Sequence, residues 1–177
     1  MQIISGKFKR APLESPKDER THPMGSREKL ALFNSLTGKI EGKTVLDAFA
    51  GTGALGLEAL SRGAKFAVFV EKSRGVAKIL EKNLENVLKT EKNDLSKIVI
   101  TGVEDFSPNE KFDLIFADPP YEIYSEALIS PLTAFLGETG LLALSLPKVA
   151  ETPNFDGFSL ISEKTYAGAK IAIFQKD

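Results

Sequence analysis

Residues 45–56 read Val-Leu-Asp-Ala-Phe-Ala-Gly-Thr-Gly-Ala-Leu-Gly. An apolar run ends in a carboxylate, glycines follow at G-x-G-x-x-G spacing, and 54–61 reads as a helix stopped by Gly63. A strand that passes through a glycine turn into a helix opens a βαβ unit, which commits a chain to a parallel sheet. The rest of the chain keeps that rhythm. Segments 44–48, 66–70, 98–101, 112–117 and 141–146 are near-continuous apolar runs, as strands buried on both faces require. Between them, Ser73 is placed to cap a helix reaching about residue 90, and 124–136 has helical spacing interrupted by Pro131. Segments 158–162 and 170–174 have no helix between them and predict an antiparallel hairpin with a turn near Ala167-Gly168. The expected fold is α/β and Rossmann-like: a mostly parallel seven-stranded sheet with helices on both faces and an antiparallel C-terminal hairpin.

Before the rhythm starts, 2–10 predicts a short strand and 11–24 an extended, poorly packed arm. Leu30, Leu32, Phe33 and Leu36 predict a helix over 26–36, with Gly38 as its stop. We divide the chain into an N-terminal extension with its first helix, 1–40, and an α/β domain, 41–177. Charge follows this division. Residues 1–43 hold nine Lys or Arg against five acids, while the whole chain has a net charge of −1. A basic leading segment on an acidic body points to a polyanionic partner. The absence of cysteine excludes disulfides and thiolate metal sites. The start lacks an apolar signal core and no run reaches membrane-spanning length, so a cytoplasmic protein is expected.

The glycine spacing by itself suggests a dinucleotide site, and Glu71, at the end of the next strand, is placed to take ribose hydroxyls. Asp47 argues against a dinucleotide. A pyrophosphate docks on a helix N-terminus, and a carboxylate beside it would repel it. S-adenosylmethionine has no phosphate and carries an ammonium and a sulfonium, so Asp47 suits it. In this reading Gly51 and Gly53 form the backbone floor and Glu71 holds the ribose.

Residues 116–122, Phe-Ala-Asp-Pro-Pro-Tyr-Glu, end a buried strand with a carboxylate, two prolines and an aromatic ring. Ligands of open α/β sheets bind beyond such strand ends. To attack a methyl group, an exocyclic amine must localise its lone pair. Two acceptors aimed at its hydrogens favour that geometry: the Asp118 carboxylate and the Pro119 carbonyl, held by the fixed φ of proline. Tyr121 offers a face on which a base stacks. No metal is needed for this chemistry.

Together these residues resemble class I S-adenosylmethionine-dependent methyltransferases acting on exocyclic amines, and most closely the RsmD family of 16S rRNA guanine-N2 methyltransferases. The resemblance rests on Ile3-Ile4-Ser5-Gly6-Lys7, on Ser26-Arg27-Glu28-Lys29 with Leu32-Phe33-Asn34, on the run from Asp47 to Gly63, on Asp118-Pro119-Pro120-Tyr121, and on Tyr166-Ala167-Gly168. It implies catalysis by Asp118, Pro119, Pro120 and Tyr121. It implies cofactor binding by Asp47, Phe49, Ala50, Gly51, Gly53, Glu71, Lys72 and Asp118, with either the Val103 backbone or the Glu104 side chain at the adenine. It implies a 16S rRNA partner, within the small ribosomal subunit or an assembly intermediate, met by Lys7, Lys9, Arg10, His22 and Arg27. Nothing calls for more than a monomer. The chain departs from the family at His22-Pro23-Met24, where Arg-Pro-Thr is usual.

Three rivals follow from the same residues. A DNA adenine-N6 methyltransferase would carry an added target-recognition domain. A protein glutamine methyltransferase usually has Asn before Pro-Pro-Tyr. A catalytically silent RNA-binding protein would not need Asp118 and Glu71 intact.

Overall fold

The computed structural model describes residues 1–16 and 24–177. Five parallel strands form in the expected order: β1 (Thr44–Asp47), β2 (Phe66–Glu71), β3 (Ser96–Ile100), β4 (Phe112–Ala117) and β5 (Leu136–Pro147). β6 (Phe158–Thr165) and β7 (Ala169–Lys176) close the sheet as an antiparallel hairpin, with β7 inserted beside β5. The sheet order is β3-β2-β1-β4-β5-β7-β6. Strand order reverses between β1 and β4, so their carboxyl ends flank the crevice where α/β sheets take ligands.

Alternation along each strand sends side chains into two cores. Val45, Phe69, Phe116 and Ile173 face one core, covered by α1 (Ser26–Ser35), α2 (Ala54–Ser61) and α3 (Arg74–Leu88). Leu46, Val70, Ile115 and Phe174 face the other, which packs against Ile129, Leu132 and Phe155. α3 buries one face through Ala77, Leu80, Leu84 and Val87, and the Ser73 hydroxyl caps it by accepting the Val76 N–H. α2 is buried nearly all round and packs tightly on the sheet. A Cβ on Gly56 would come within 2.3 Å of the Phe69 ring.

The structure corrects several expectations. Residues 2–10 are not a strand. Gly6 and Arg10, both with positive φ, reverse the chain, leaving a single antiparallel bridge between Gln2 and Pro12. In the stretch 11–16, Leu13 is anchored in the first core, while Pro12, Glu14 and Ser15 are exposed. The region 124–136 forms only a four-residue helix, α5 (Glu126–Ile129), here numbered after α4 (Lys92–Leu95), followed by a 3-10 run, Ser130–Phe135. Pro131 has no N–H to continue an α-helical ladder. β5 starts five residues early because Leu136 already pairs with Phe112 of β4; residues 137–140 bulge out before the pairing resumes at Leu114 and Leu141. Among the described residues, no helix is long and apolar enough to cross a membrane.

Candidate active site

A cavity of about 850 Å³ opens at the carboxyl ends of the parallel strands. That volume is in the range of small-molecule sites. Asp47, Phe49, Ala50, Gly51, Glu71, Lys72, Val103 and Glu104 all line it, as do Asp118, Pro119, Pro120 and Tyr121. The two motifs singled out in the sequence therefore meet in one space.

Asp47 ends β1 and is buried, with Oδ2 accepting the Gly56 N–H at 2.9 Å. Burial pushes its carboxyl up to about 7; the charges of Asp118 and Glu71 add to this, and the Gly56 bond opposes it. Glu71 ends β2. Its Oε2 accepts the Gly51 N–H at 2.9 Å and its Oε1 accepts the Ser73 N–H at 2.7 Å. Two backbone donors thus orient one carboxylate at the mouth of the glycine loop. Glu104 is bonded to Lys72 at 2.7 Å, which holds the acid below and the amine above their ordinary values.

Asp118 follows β4, on the other side of the crevice from Asp47. Burial pushes its carboxyl up to about 6, opposed by a hydrogen bond from the Ser145 hydroxyl. Beyond it the chain turns tightly, with the Ile123 N–H donating to the Pro120 carbonyl at 3.0 Å. The Tyr121 hydroxyl lies 3.0 Å from Ser145 Oγ, and burial raises its pKa.

Gly53 is not in the cavity wall, contrary to its expected role as backbone floor. It enters α2 with φ 82°, and a Cβ there would come within 2.5 Å of Leu80 Cδ1. Its place is set by the close approach of α2 to α3. Lys7, Lys9 and Arg10 are also outside the cavity. The Lys7 and Phe8 amides bond to Ser61, at the far end of α2, while Lys9 and Arg10 line a second depression beside Lys89 and Thr90. An eight-residue helix separates this end from the cavity by ~12 Å. Lys7 Nζ is 2.7 Å from Glu91. Phe8 packs against the first core. Arg27 is exposed on α1 and also outside the cavity wall. His22 lies outside the described residues.

Sequence reasoning missed four features. Ser15 and Pro16 form part of the cavity wall, so the leading segment borders the site. Asn83 is buried, accepts the Glu14 N–H, and donates to the carbonyls of Glu14 and Thr52. Lys29 is buried at the cavity wall, 3.3 Å from Glu58, and donates to the Gln2 carbonyl. Glu58 in turn accepts the N–H groups of Ile4 and Ser5 and pairs with Arg62. The signal for Lys29 was present, since it shares the helical face of Leu32, Phe33 and Leu36. Ser145 was legible as the single polar residue in the apolar run 141–147.

The lining tests the choice of cofactor. Five carboxylates (Asp47, Glu71, Glu104, Asp118 and Glu122) face the cavity against two lysines, and each lysine is paired to an acid. Such a wall suits a cationic ligand without phosphate and disfavours a dinucleotide. The fold and this site define a class I S-adenosylmethionine-dependent methyltransferase.

A protein-family model described as "Conserved hypothetical protein 95" matches residues 1–175. The chain belongs to that family, the RsmD family its motifs resemble. Ribosomal RNA small subunit methyltransferase D of Haemophilus influenzae is 32% identical over 182 residues, 99% of this chain and 93% of that protein. The protein of the same name from Escherichia coli K12 is 34% identical over 145 residues, 81% of this chain and 70% of that one. A solved structure from Thermus thermophilus, described as a hypothetical protein, superposes with a TM-score of 0.82 at 30% identity and covers 98% of each chain.

Proposed function

We propose that this enzyme transfers a methyl group from S-adenosylmethionine to the exocyclic N2 amine of a guanine in 16S rRNA of the small ribosomal subunit. The observation that carries the reading is the placement of Asp118-Pro119-Pro120-Tyr121 across one cavity from Asp47 and the Glu71-anchored glycine loop. The names of the relatives supply the substrate class.

The cofactor supplies an electrophilic methyl group on a good leaving group. Asp47 and Glu71 hold its cationic end and its ribose, with Gly51 giving close backbone approach. Val103 and Glu104, at the end of the cavity near Lys72, border the adenine. The target base, turned out of its stack, lies on Tyr121. Asp118 accepts one amine hydrogen and the Pro119 carbonyl the other, which aims the nitrogen lone pair at the methyl carbon. With its carboxyl near 6, Asp118 is mostly ionised at pH 7 and able to accept. With the cofactor bound, Asp118 would take up the amine proton released as the methyl group is transferred, and pass it to solvent. Catalysis is by orientation and electrostatics.

Residues 1–40 serve the substrate in this reading. Lys9, Arg10 and Arg27 meet rRNA phosphates, and Lys7 joins them by leaving Glu91. His22 completes the set. The hairpin tip at Lys9 and Arg10 touches RNA away from the target nucleotide. The protein acts in the cytoplasm as a monomer, on the small subunit or an assembly intermediate.

The test is transfer of labelled methyl from S-adenosylmethionine to small subunits lacking the modification. Naked rRNA, duplex DNA and Asp118→Ala run alongside. Label recovered as N2-methylguanosine, and lost with Asp118→Ala, is the expected result. Label confined to DNA or protein overturns the substrate. Cofactor binding with no transfer anywhere overturns the enzyme reading in favour of a silent RNA binder.

A further inference from the structure

The Asp118 carboxylate has a neighbour that the mechanism above leaves unused. Ser145 lies in β5 at 2% exposure, among leucines. β4 and β5 pair in parallel with Ala117 opposite Leu144, so the next residues on the two strands, Asp118 and Ser145, lie side by side, Asp118 in the cavity wall and Ser145 buried behind it. Tyr121 folds back over them, with its hydroxyl 3.0 Å from Ser145 Oγ. An ionised carboxylate accepts and cannot donate, and serine has one proton. Beside an ionised Asp118, the Ser145 proton is free to point to the carboxylate while the Ser145 oxygen accepts from Tyr121.

We propose that Ser145 is a positioning residue for methyl transfer, whose single hydroxyl fixes both the direction of the Asp118 acceptor and the plane of the Tyr121 ring. The amine acceptor and the stacking surface must hold one mutual geometry for the nitrogen to meet the methyl group in line. Asp118 and Tyr121 sit on a turn, which alone holds them loosely. β5 is held between β4 and β7 and offers a rigid reference for both. A buried hydroxyl costs stability when unsatisfied, and here its bond goes to Tyr121 of the reacting motif, beside Asp118. The idea rests on the proposed function for the roles of Asp118 and Tyr121 and for the identity of the base.

The other groups around this chain are fixed. Asp47 from β1 and Glu71 from β2 line the same cavity, and Glu28 from α1 acts on Tyr121. Lys29 from α1 is paired away to Glu58. Ser145 is the hydroxyl beside Asp118 on the neighbouring strand.

The experiment compares wild type with Ser145→Ala and with Ser145→Cys, which keeps the side chain's shape with a somewhat larger atom but donates weakly. The carboxyl carbon of Asp118 is titrated by NMR in cofactor-free protein, which needs no substrate. Turnover, KM and cofactor affinity are then measured across pH on rRNA. Losing the donor raises the Asp118 pKa, so its titration and the acid limb of kcat both move to higher pH in each variant. At neutral pH, kcat falls roughly ten- to a hundredfold, the factor that a hydrogen bond to a charged group supplies, while cofactor affinity stays within about twofold. An unchanged titration and kcat overturn the proposal. So does a fall in kcat that only tracks lost stability and cofactor affinity. If wild type methylates no guanine, the proposed function fails, and the NMR titration still judges Ser145.

Discussion

The side-chain amide of Asn83, in α3, donates to the carbonyl of Thr52 in the glycine loop at 2.9 Å. The same side chain exchanges two hydrogen bonds with the Glu14 backbone, at 2.8 and 3.0 Å. One buried amide thus ties the cofactor loop to the leading segment that walls the cavity. Asn83→Ala leaves backbone groups of both segments unpaired, and each such group costs about 1–3 kcal/mol. The expected result is a loss of about 2–4 kcal/mol in urea unfolding, with cofactor binding weakened several-fold.

Asp47 makes stability depend on pH. Its carboxyl is raised from 3.8 to about 7 in the fold, so the stabilisation it contributes is present at acid pH and lost as pH rises from 3.8 to about 7. Asp118, raised to about 6, acts in the same direction. The cofactor-free protein should therefore melt at lower temperature at pH 8 than at pH 5 in this respect. Asp47→Asn should flatten that dependence, because its amide oxygen still accepts the Gly56 N–H. A cationic cofactor favours the ionised form, so wild-type affinity should tighten from pH 6 to pH 8. Calorimetric melting and titration calorimetry check both. Identical slopes in wild type and variant would remove Asp47 from the account.

Glu71 is oriented before any ligand arrives, by the N–H groups of Gly51 and Ser73. Glu71→Ala removes the acceptor for a ribose and frees the loop amide. Cofactor affinity should fall about ten- to a hundredfold, the range for a charged hydrogen bond, with the circular dichroism spectrum unchanged. Retained affinity would place the ribose elsewhere.

Lys9 and Arg10 test the RNA footprint. Each phosphate contact adds roughly one unit to the slope of log affinity against log salt. The Lys9→Gln, Arg10→Gln double variant should therefore bind rRNA with a slope lower by about two. Lys7→Gln should change the slope less, because Lys7 already has Glu91 at 2.7 Å. An unchanged slope in the double variant would take the hairpin out of the interface.

Legibility followed the range of the interactions. The strands of the parallel core were readable because burial on both faces leaves a continuous apolar run, as in 112–117. The caps and turns were readable because Ser73 and the loop glycines act on residues next to them. The helix expected over 124–136 failed, because spacing suggested one element where Pro131 splits it into a short α-helix and a 3-10 run. β5 was read too short because Gly137–Gly140 carry no apolar signal yet belong to the strand that pairs with β4 through its backbone. Gly53 was read as a ligand floor because motif spacing does not show which glycine faces a neighbouring helix.

By itself the sequence determined the glycine loop, the acid at each strand end and the Asp118-Pro119-Pro120-Tyr121 turn, because each is made by residues adjacent in the chain. The sheet order then decided what faced them. It set Ser145 against Tyr121 across 24 residues and Asn83 against Glu14 across 69. It also carried Lys9 and Arg10 to the end of α2 remote from the cavity. Those partners are chosen by strand crossovers and by the packing of helices on the sheet. No local spacing encodes them, since a side chain's partner is fixed only once distant segments have been brought into contact.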